Sequence, residues 1–174
     1  MNPMKEIGIE KVTLNVGTGK PGPELEKGKI LLQHISNIKP VECITKKRIP
    51  TWGLRPNLVI GTKVTLRGTA ARDVLLRLVA ARDGRLSARS FDSRGNFAFG
   101  IKEYLEVPTL DYIPEVGIIG LEIAVTLKRK GFNIKHRLLR PKSIPRRHMI
   151  SKQEAIQYAK EKLGITIQEE EEAE

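Results

Sequence analysis

The segment EKVTLNVGTGKPGPE, residues 10–24, contains the pattern that decides the fold class. Val12, Leu14 and Val16 alternate with polar residues, which is the period of a β-strand with one buried face and one open face. Three glycines follow, and Pro23 is then typical of the first position of a helix. The segment predicts a strand, a glycine turn and a helix, an order that also occurs in dinucleotide-binding enzymes.

The glycine turn matches the dinucleotide fingerprint by letter. Gly17, Gly19 and Gly22 spell G-x-G-x-x-G. In a dinucleotide site the helix begins inside this loop, so that its free amides face the pyrophosphate. Pro21 and Pro23 have no amide proton and move the helix start downstream. We therefore interpret the loop as a connecting turn whose backbone can approach phosphates, and we keep a nucleotide-binding enzyme that uses this loop as the alternative function.

The remaining periodic segments complete the prediction of the fold. In chain order they predict a helix that begins at Pro23 and is stopped by Pro40, strands at 41–45 and 61–68, a helix at 69–84, a strand at 121–129 and a helix at 151–164. Strands interleaved with three helices predict an α+β fold, in which a mostly antiparallel sheet has helices packed on one face and its other face open for RNA. We predict a single domain over residues 1–168 and an acidic, disordered tail at 169–174.

The charge of the chain indicates a polyanionic partner. The 174 residues include 31 Lys and Arg against 20 Asp and Glu, a formal net charge of +11. Five of the acidic residues lie within the tail at 169–174, so the preceding chain is more basic still. A domain of this charge is typical of nucleic-acid binding. We find no apolar run long enough to span a membrane and no basic-then-apolar leader, and we expect a soluble, cytoplasmic protein.

Basic residues concentrate in three segments that lack a regular period. The first, at 46–60, contains two prolines and a glycine and is predicted to be a long loop. Its tryptophan, Trp52, either stacks on an exposed base or packs into the core. The second segment, at 85–96, is predicted to be irregular. The third, at 128–150, has no acidic residue and is predicted to be an exposed arm that folds against its partner.

Catalytic and metal chemistry lack the residues that they need. The single cysteine, Cys43, excludes an internal disulfide and a thiolate-rich zinc site, and its position predicts a small buried side chain. The segment SFDSRGN at 90–96 offers serine and aspartate without a base to activate a serine. The three histidines are far apart and lack metal-ligand spacing: His34, His136 and His148. We therefore expect no enzyme, no metal and no cofactor.

Three segments resemble a known family. They are KVTLNVGTG (11–19), KPVECITKKRIPTWGLRPNLVIGTKVTLRG (39–68) and SFDSRGNFAFGIKEYLEVPTLDY (90–112). Together they are similar to the universal L5 family of large-subunit ribosomal proteins, which binds 5S rRNA, and the likeness extends to about Leu127. Beyond that point the arm is similar to the archaeal and eukaryotic branch, and the short chain with its glutamate tail favours an archaeon.

The resemblance implies a structural constituent of the large ribosomal subunit. Members of the family bind 5S rRNA in the central protuberance, contact P-site tRNA and reach a small-subunit head protein as an intersubunit bridge. The partners implied are 5S rRNA, 23S rRNA, P-site tRNA and neighbouring large-subunit proteins, with no membrane. The arm is expected to contact additional rRNA or a neighbouring protein.

The resemblance and the basic segments together assign candidate residues. The family's 5S rRNA contact corresponds here to Asn15, Lys46, Lys47, Arg48, Lys63, Thr65 and Arg67. The basic segments and the glycine loop add Gly17, Lys20, Trp52, Arg55, Arg89, Arg94, Arg146 and Arg147 as rRNA-binding residues. The family's tRNA-contacting loop corresponds to residues 81–89, which is shorter than the bacterial loop, with contacts from Arg82, Arg85 and Arg89.

Overall fold

The computed structural model describes residues 2–108 and 110–168. In chain order it contains β1 (Ile7–Gly17), α1 (Pro23–Ser36), β2 (Val41–Ile44), β3 (Val59–Leu66), α2 (Gly68–Ala80), β4 (Arg85–Ser87), β5 (Phe97–Ile101), β6 (Leu121–Arg129), α3 (Lys152–Leu163) and β7 (Thr166–Gln168). Five strands form a mostly antiparallel sheet in the order β2-β3-β1-β6-β5, and β4 pairs with β7 in parallel. The predicted α+β fold is confirmed, and the predicted tail lies outside the described residues.

Alternating burial along the long strands confirms their predicted register. In β1, Val12, Leu14 and Val16 are at most 2 % exposed, whereas the polar residues between them are half-buried. In β6 the buried positions are Leu121, Ile123, Val125, Leu127 and Arg129. Each of these strands therefore has a covered side and a more open side, because successive side chains point in opposite directions.

The chain divides into two compact units. Unit A comprises residues 13–66 and 100–123, and unit B comprises residues 1–12, 67–99 and the chain from 124 onward. In unit A, α1 packs on β3 through an apolar stripe made of Leu25, Leu31, Leu32 and Ile35. The helix ends at Asn37, whose amide donates to the Gln33 carbonyl at 2.8 Å, and therefore stops before the predicted Pro40.

Unit B holds the other two helices, and both match their patterns. The predicted stripe of α2 is buried: Val74, Leu75, Leu78 and Val79. The predicted capping box of α3 is present, because the Ser151 hydroxyl accepts from the Glu154 amide at 3.3 Å and the Ser151 amide donates to Glu154 Oε2 at 2.9 Å. Gly164 ends the helix in the left-handed conformation, with φ +65°.

Short elements account for the differences from the predicted fold. The segment at 85–96 is not irregular throughout, because β4 pairs with β7. Both strands have three residues, too few to show a period. The strand β5 carried a readable alternation in FAFGI that the prediction missed. In β2, Cys43 is half-buried rather than buried, and it pairs with Gly61 of β3, which begins two residues earlier than predicted.

Candidate nucleic-acid interface

The basic loop, residues 46–58, follows β2 in unit A and is closed at its base by Thr45. The Thr45 amide donates to the Leu58 carbonyl at 2.9 Å, and the Asn57 amide donates to the Thr45 carbonyl at 2.9 Å. The Thr45 hydroxyl donates to the Arg55 carbonyl. Since Thr45 is only 8 % exposed, water competes little for these bonds. The loop therefore leaves the sheet from a fixed base.

A tight inner turn shapes the tip of the basic loop. Ile49 and Leu54 exchange two backbone hydrogen bonds, of 3.0 and 3.1 Å, around the 3-10 turn Pro50–Trp52. Leu54 is buried, whereas Trp52 is 70 % exposed. The choice left open for Trp52 is thereby decided against core packing. Its indole is accessible to a base that stacks on it.

The cations of the basic loop are exposed and hold no counterion within the fold. Lys46, Lys47, Arg48 and Arg55 are all exposed, and no acidic side chain in residues 2–108 and 110–168 forms an ion pair with any of them. Solvated cations of this kind can neutralise phosphates and release the counterions of a nucleic acid. The loop therefore presents charge that a polyanion can use.

Lys29 in the same unit shows the opposite arrangement. Its Nζ lies 2.7 Å from Glu26 Oε1 and 2.9 Å from Glu42 Oε1. These hydrogen bonds, that from Glu26 foremost, raise the pKa of Lys29 above its usual value. The charge of Lys29 is thus compensated inside the fold, which separates it from the lysines of the basic loop.

The open side of β1 and β3 carries the predicted polar residues and one acidic neighbour. Lys63 is exposed and Thr65 is half-buried, as the alternation requires. Asn15 donates its Nδ2 to Glu122 Oε2 at 3.1 Å, a contact that the sequence pattern does not predict. An amide side chain retains further donor and acceptor capacity after one bond. Three more predicted residues are exposed beside these strands: Gly17, Lys20 and Arg67.

The glycine loop is the turn that its prolines indicate. The amides of Thr18 and Gly19 both donate to the Ile60 carbonyl at 3.0 Å, so they are not directed at a ligand. The helix α1 begins only at Pro23, after the loop, and no side chain caps it. A pyrophosphate would need those amides at a helix N-terminus. The loop therefore lacks the geometry of a dinucleotide site.

The segment predicted to contact tRNA forms a short, tied turn in unit B. Residues 81–89 follow α2, and the Thr166 amide of β7 donates to the Gly84 carbonyl at 2.7 Å. Within the segment, Arg82 and Arg85 are exposed. The other predicted arginines of unit B are exposed as well: Arg89, Arg94, Arg146 and Arg147.

Asp92 organises the turn that carries Arg94. Its Oδ1 accepts from the Arg94 amide at 3.1 Å and from the Ser93 hydroxyl at 3.0 Å, and its Oδ2 accepts from Asn96 Nδ2 at 3.3 Å. These bonds, that of the Arg94 amide foremost, lower the pKa of Asp92. The carboxylate therefore has a structural role in the turn and does not orient a catalytic base.

The basic arm, residues 128–150, is docked at both ends in unit B. Near its start, Arg129 is 4 % exposed, and its Nη2 lies 2.5 Å from Glu154 Oε1. At its end, Ile150 is 2 % exposed. The middle of the arm is open, with Leu138 at 95 % exposure. The sequence predicts an exposed segment throughout, and the structure limits that description to the middle.

Charged groups at the ends of the arm are partnered within unit B. Lys130 Nζ lies 2.8 Å from Glu6 Oε2, and this hydrogen bond lowers the pKa of Glu6. His148 Nε2 lies 2.9 Å from the Lys130 carbonyl oxygen, and its ring meets Phe132 edge-on at a centroid distance of 5.8 Å. These contacts fix the arm's backbone near its start.

Sequence reasoning missed the residues that position the site. Thr45 and Glu122 each act through a contact between segments distant in the chain, and only the chemistry of their side chains was visible. Arg129 ends an alternating strand at a buried position, so its burial could have been read from the parity of β6. No group of three or more His, Cys, Asp and Glu in the described part of the chain could hold a metal ion. Nor does that part include a helix with the length and apolarity of a membrane span.

Comparisons with known proteins support the same direction. The model of ribosomal protein L5 matches residues 2–55, and the model of the C-terminus of the same ribosomal protein family matches residues 59–158. The two matches cover nearly all of the described chain.

Curated relatives align along nearly their whole length. The chain is 43 % identical over 170 residues to large ribosomal subunit protein uL5 of Sulfurisphaera tokodaii, with 97 % of this chain and 96 % of the relative covered. It is 45 % identical over 167 residues to the uL5 protein of Nanoarchaeum equitans, with 95 % and 98 % covered. The uL5 protein of Nitrosopumilus maritimus is 40 % identical over 166 residues, with 95 % and 96 % covered.

The exposed cations and the bound amides of the glycine loop agree with these matches, which exclude the enzyme alternative. The chain belongs to the universal L5 family of ribosomal proteins, of the archaeal type, and is a structural component of the large ribosomal subunit.

Proposed function

We propose that the chain binds 5S rRNA through an RNA face made of the basic loop and the open side of β1 and β3 in unit A. The observation that carries this proposal is the fixed base of the loop at Thr45, from which exposed cations and a 70 % exposed Trp52 extend. Phosphates would pair with the loop cations, and one unstacked base would lie on the indole.

The composition of the RNA face favours a folded RNA over an extended strand. Trp52 is its one predicted stacking residue, whereas sheets that read single strands stack several successive bases on aromatic side chains. The polar residues of the face, such as Lys63 and Thr65, instead suit phosphates and 2′-hydroxyls. We infer that the protein recognises the shape and backbone of 5S rRNA.

Further contacts within the ribosome form the second part of the proposal. Residues 81–89 contact P-site tRNA through Arg82, Arg85 and Arg89, and the protein reaches the small-subunit head as a bridge. The open middle of the basic arm contacts 23S rRNA or a neighbouring large-subunit protein. These assignments are supported by family membership and by the exposure of the arginines.

The test of 5S rRNA binding is a filter-binding titration across a salt series. Replacing Lys47 and Arg48 together by glutamine removes two phosphate partners, so the slope of log K against log salt should become less steep by about 2. The matched control replaces Lys102 and Lys160, two exposed lysines outside the RNA face, with the same change in net charge. Equal effects of the two double variants, or a flat salt response of the unmodified protein, would contradict the proposal.

The tRNA contact is tested separately in reconstituted large subunits. Replacing Arg82 and Arg85 by glutamine should weaken P-site tRNA binding and leave 5S rRNA binding unchanged. A loss of 5S rRNA binding instead would assign residues 81–89 to the rRNA interface.

A further inference from the structure

A cavity of about 540 Å³ lies within unit B, where the start of β1 meets the end of β6 and the first turn of the basic arm. It is lined by Glu6, Ile7, Gly8 and the segment 128–133. This volume lies within the usual range for small-molecule sites and is large enough for one nucleotide. The cavity is separate from the RNA face, which belongs to unit A.

Arg129, on the wall of this cavity, has a buried donor without an acceptor. The side chain is 4 % exposed, and its Nη2 is bound to Glu154 Oε1. Its Nε, however, has no hydrogen-bond partner among the residues that the structure describes. A buried donor left unsatisfied is unfavourable, and native proteins rarely keep one without a role. The guanidinium therefore needs an acceptor from outside the described chain.

The charges around the cavity favour an anionic acceptor. Lys128 lines it, is exposed and forms no ion pair with the described residues. The carboxylate of Glu6 is compensated by Lys130 at 2.8 Å, and that of Glu154 by Arg129. The charge of Lys128 therefore remains without a counterion, next to a guanidinium that has a vacant donor. Arginine recognises phosphate through such N–H groups.

The backbone around the cavity is held in place before a ligand arrives. His148 binds the Lys130 carbonyl, and Gly131 adopts φ +93°. A Cβ added at Gly131 would lie 3.1 Å from Met4 Cε, so the chain is closely packed there. At Gly8, in contrast, an added Cβ would meet no atom within 4 Å. A larger side chain can thus be placed on the cavity wall at Gly8 without a clash.

We propose that this cavity is a second, separate phosphate-binding site, in which Arg129 Nε donates to a phosphate oxygen and Lys128 balances its charge. The inference rests on the proposed binding of 5S rRNA, since a phosphate of that RNA is the occupant to which we commit. A free nucleotide would supply the same chemistry. The site gives the protein a second point of attachment to the RNA, built from folded elements of unit B.

The test follows the Arg129 Nε–H signal in nitrogen-15 NMR spectra of the full chain. Three probes are added in turn: 5S rRNA, inorganic phosphate and AMP. A shift of this signal with 5S rRNA alone supports a phosphate of the RNA strand, and a shift with phosphate or AMP as well supports a site that also accepts free phosphate. No shift with any probe overturns the proposal.

The indole signal of Trp52 makes the two proposals distinguishable in the same titration. If Trp52 shifts with 5S rRNA and Arg129 does not, the cavity proposal fails and the RNA face stands. If neither signal moves, both proposals fail.

Two variants test the cavity without removing the buried arginine, whose loss could prevent folding. Gly8→Leu should fill the cavity and abolish the Arg129 shift, while the Trp52 shift remains. Lys128→Gln should lower the salt slope of 5S rRNA binding by about 1, and Lys160→Gln on the exposed side of α3 should not. Equal slopes for the two lysine variants would contradict the proposal.

Discussion

The basic loop of unit A and the basic arm of unit B carry similar charge but hold it in different ways. In the loop, Lys47 and Arg48 are exposed and have no ion pair with the described residues. At the start of the arm, Arg129 is buried against Glu154 and Lys130 is bound to Glu6. A cation contributes to nucleic-acid binding only when its counterion is not already part of the fold.

The two segments also differ in what fixes them. The basic loop is closed by backbone hydrogen bonds at Thr45 and between Ile49 and Leu54. The arm is fixed by side chains, with the Arg129 ion pair at one end and buried Ile150 at the other. We therefore expect substitutions at the arm's anchors to change the stability of the protein, and substitutions at the loop's tip to change binding.

The largest effect is expected at Gly95, where the end of the arm packs. Gly95 has φ +78°, and an added Cβ would lie 2.6 Å from Ile150 Cγ2. Gly95→Ala should therefore lower the free energy of unfolding by about 3 kcal/mol, through overpacking and backbone strain. Thermal unfolding should show Tm reduced by about 6–12 °C.

The control for Gly95 is Gly100→Ala in β5. A Cβ there has the Leu121 carbonyl oxygen as its nearest neighbour, at an ordinary 3.9 Å, and no positive φ is involved. Its Tm should stay close to that of the unmodified protein. Similar Tm values for the two variants would mean that Ile150 does not anchor the arm.

The next effect is expected at the other anchor of the arm. Glu154→Gln retains the capping box, since glutamine also serves at that position, but removes the charge opposite Arg129. Removing one partner of a fully buried pair costs about 3–5 kcal/mol. Because the Glu154 side chain is 44 % exposed, we expect a smaller loss of about 1–2 kcal/mol in urea unfolding. Glu161→Gln, on the exposed surface of the same helix, should have no measurable effect.

At the tip of the basic loop the expected effect is on binding alone. Trp52→Ala should weaken 5S rRNA binding by about 1–2 kcal/mol, the value of one stacked base, and leave Tm unchanged because the indole contributes little to the core. Tyr112→Ala removes another exposed aromatic residue of unit A and should leave the affinity unchanged. A fall in Tm with Trp52→Ala would instead show that the loop depends on its indole for folding.

The smallest effect is expected from pH. Hydrogen bonds lower the pKa of Asp92 and of Glu154 below their usual values of 3.8 and 4.5. A carboxyl whose pKa is lower in the folded state stabilises the fold above its unfolded pKa, and that contribution is lost as pH falls through the folded pKa. Stability should therefore decline below about pH 4.5, and Asp92→Asn should make the decline shallower in acid titrations followed by circular dichroism. An unchanged acid limb would contradict this account of the turn.

Much of the fold could be predicted because its signals are local. The strict alternation in β6 and the helical stripe of α2 each bury one side of one element, so neither depends on which element packs against it. The capping box at Ser151 is readable for the same reason, since both partners lie within one helical turn. Elements of three residues, such as β4 and β7, carry no period and exist only through their pairing with each other.

The candidate site was predictable in its chemistry and not in its geometry. The positions of Lys46, Lys47 and Arg48 in an irregular segment indicated exposed charge, and they are exposed. The core and stacking positions of Trp52 could not be separated, because either satisfies a large aromatic side chain in a loop. The bond between Thr45 and Leu58 decided that question by fixing where the loop turns.

The sequence by itself determined the α+β class, the parity of the long strands, the excess of positive charge and the family, because each depends on residue type and spacing along one stretch of chain. Only the tertiary structure decided which cations retain their charge for a partner. Lys29, Lys130 and Arg129 read like any other basic residue, and each is compensated by a carboxylate that folding brings to it from another segment. The availability of a charge depends on distances across the fold, and residue order does not record those distances.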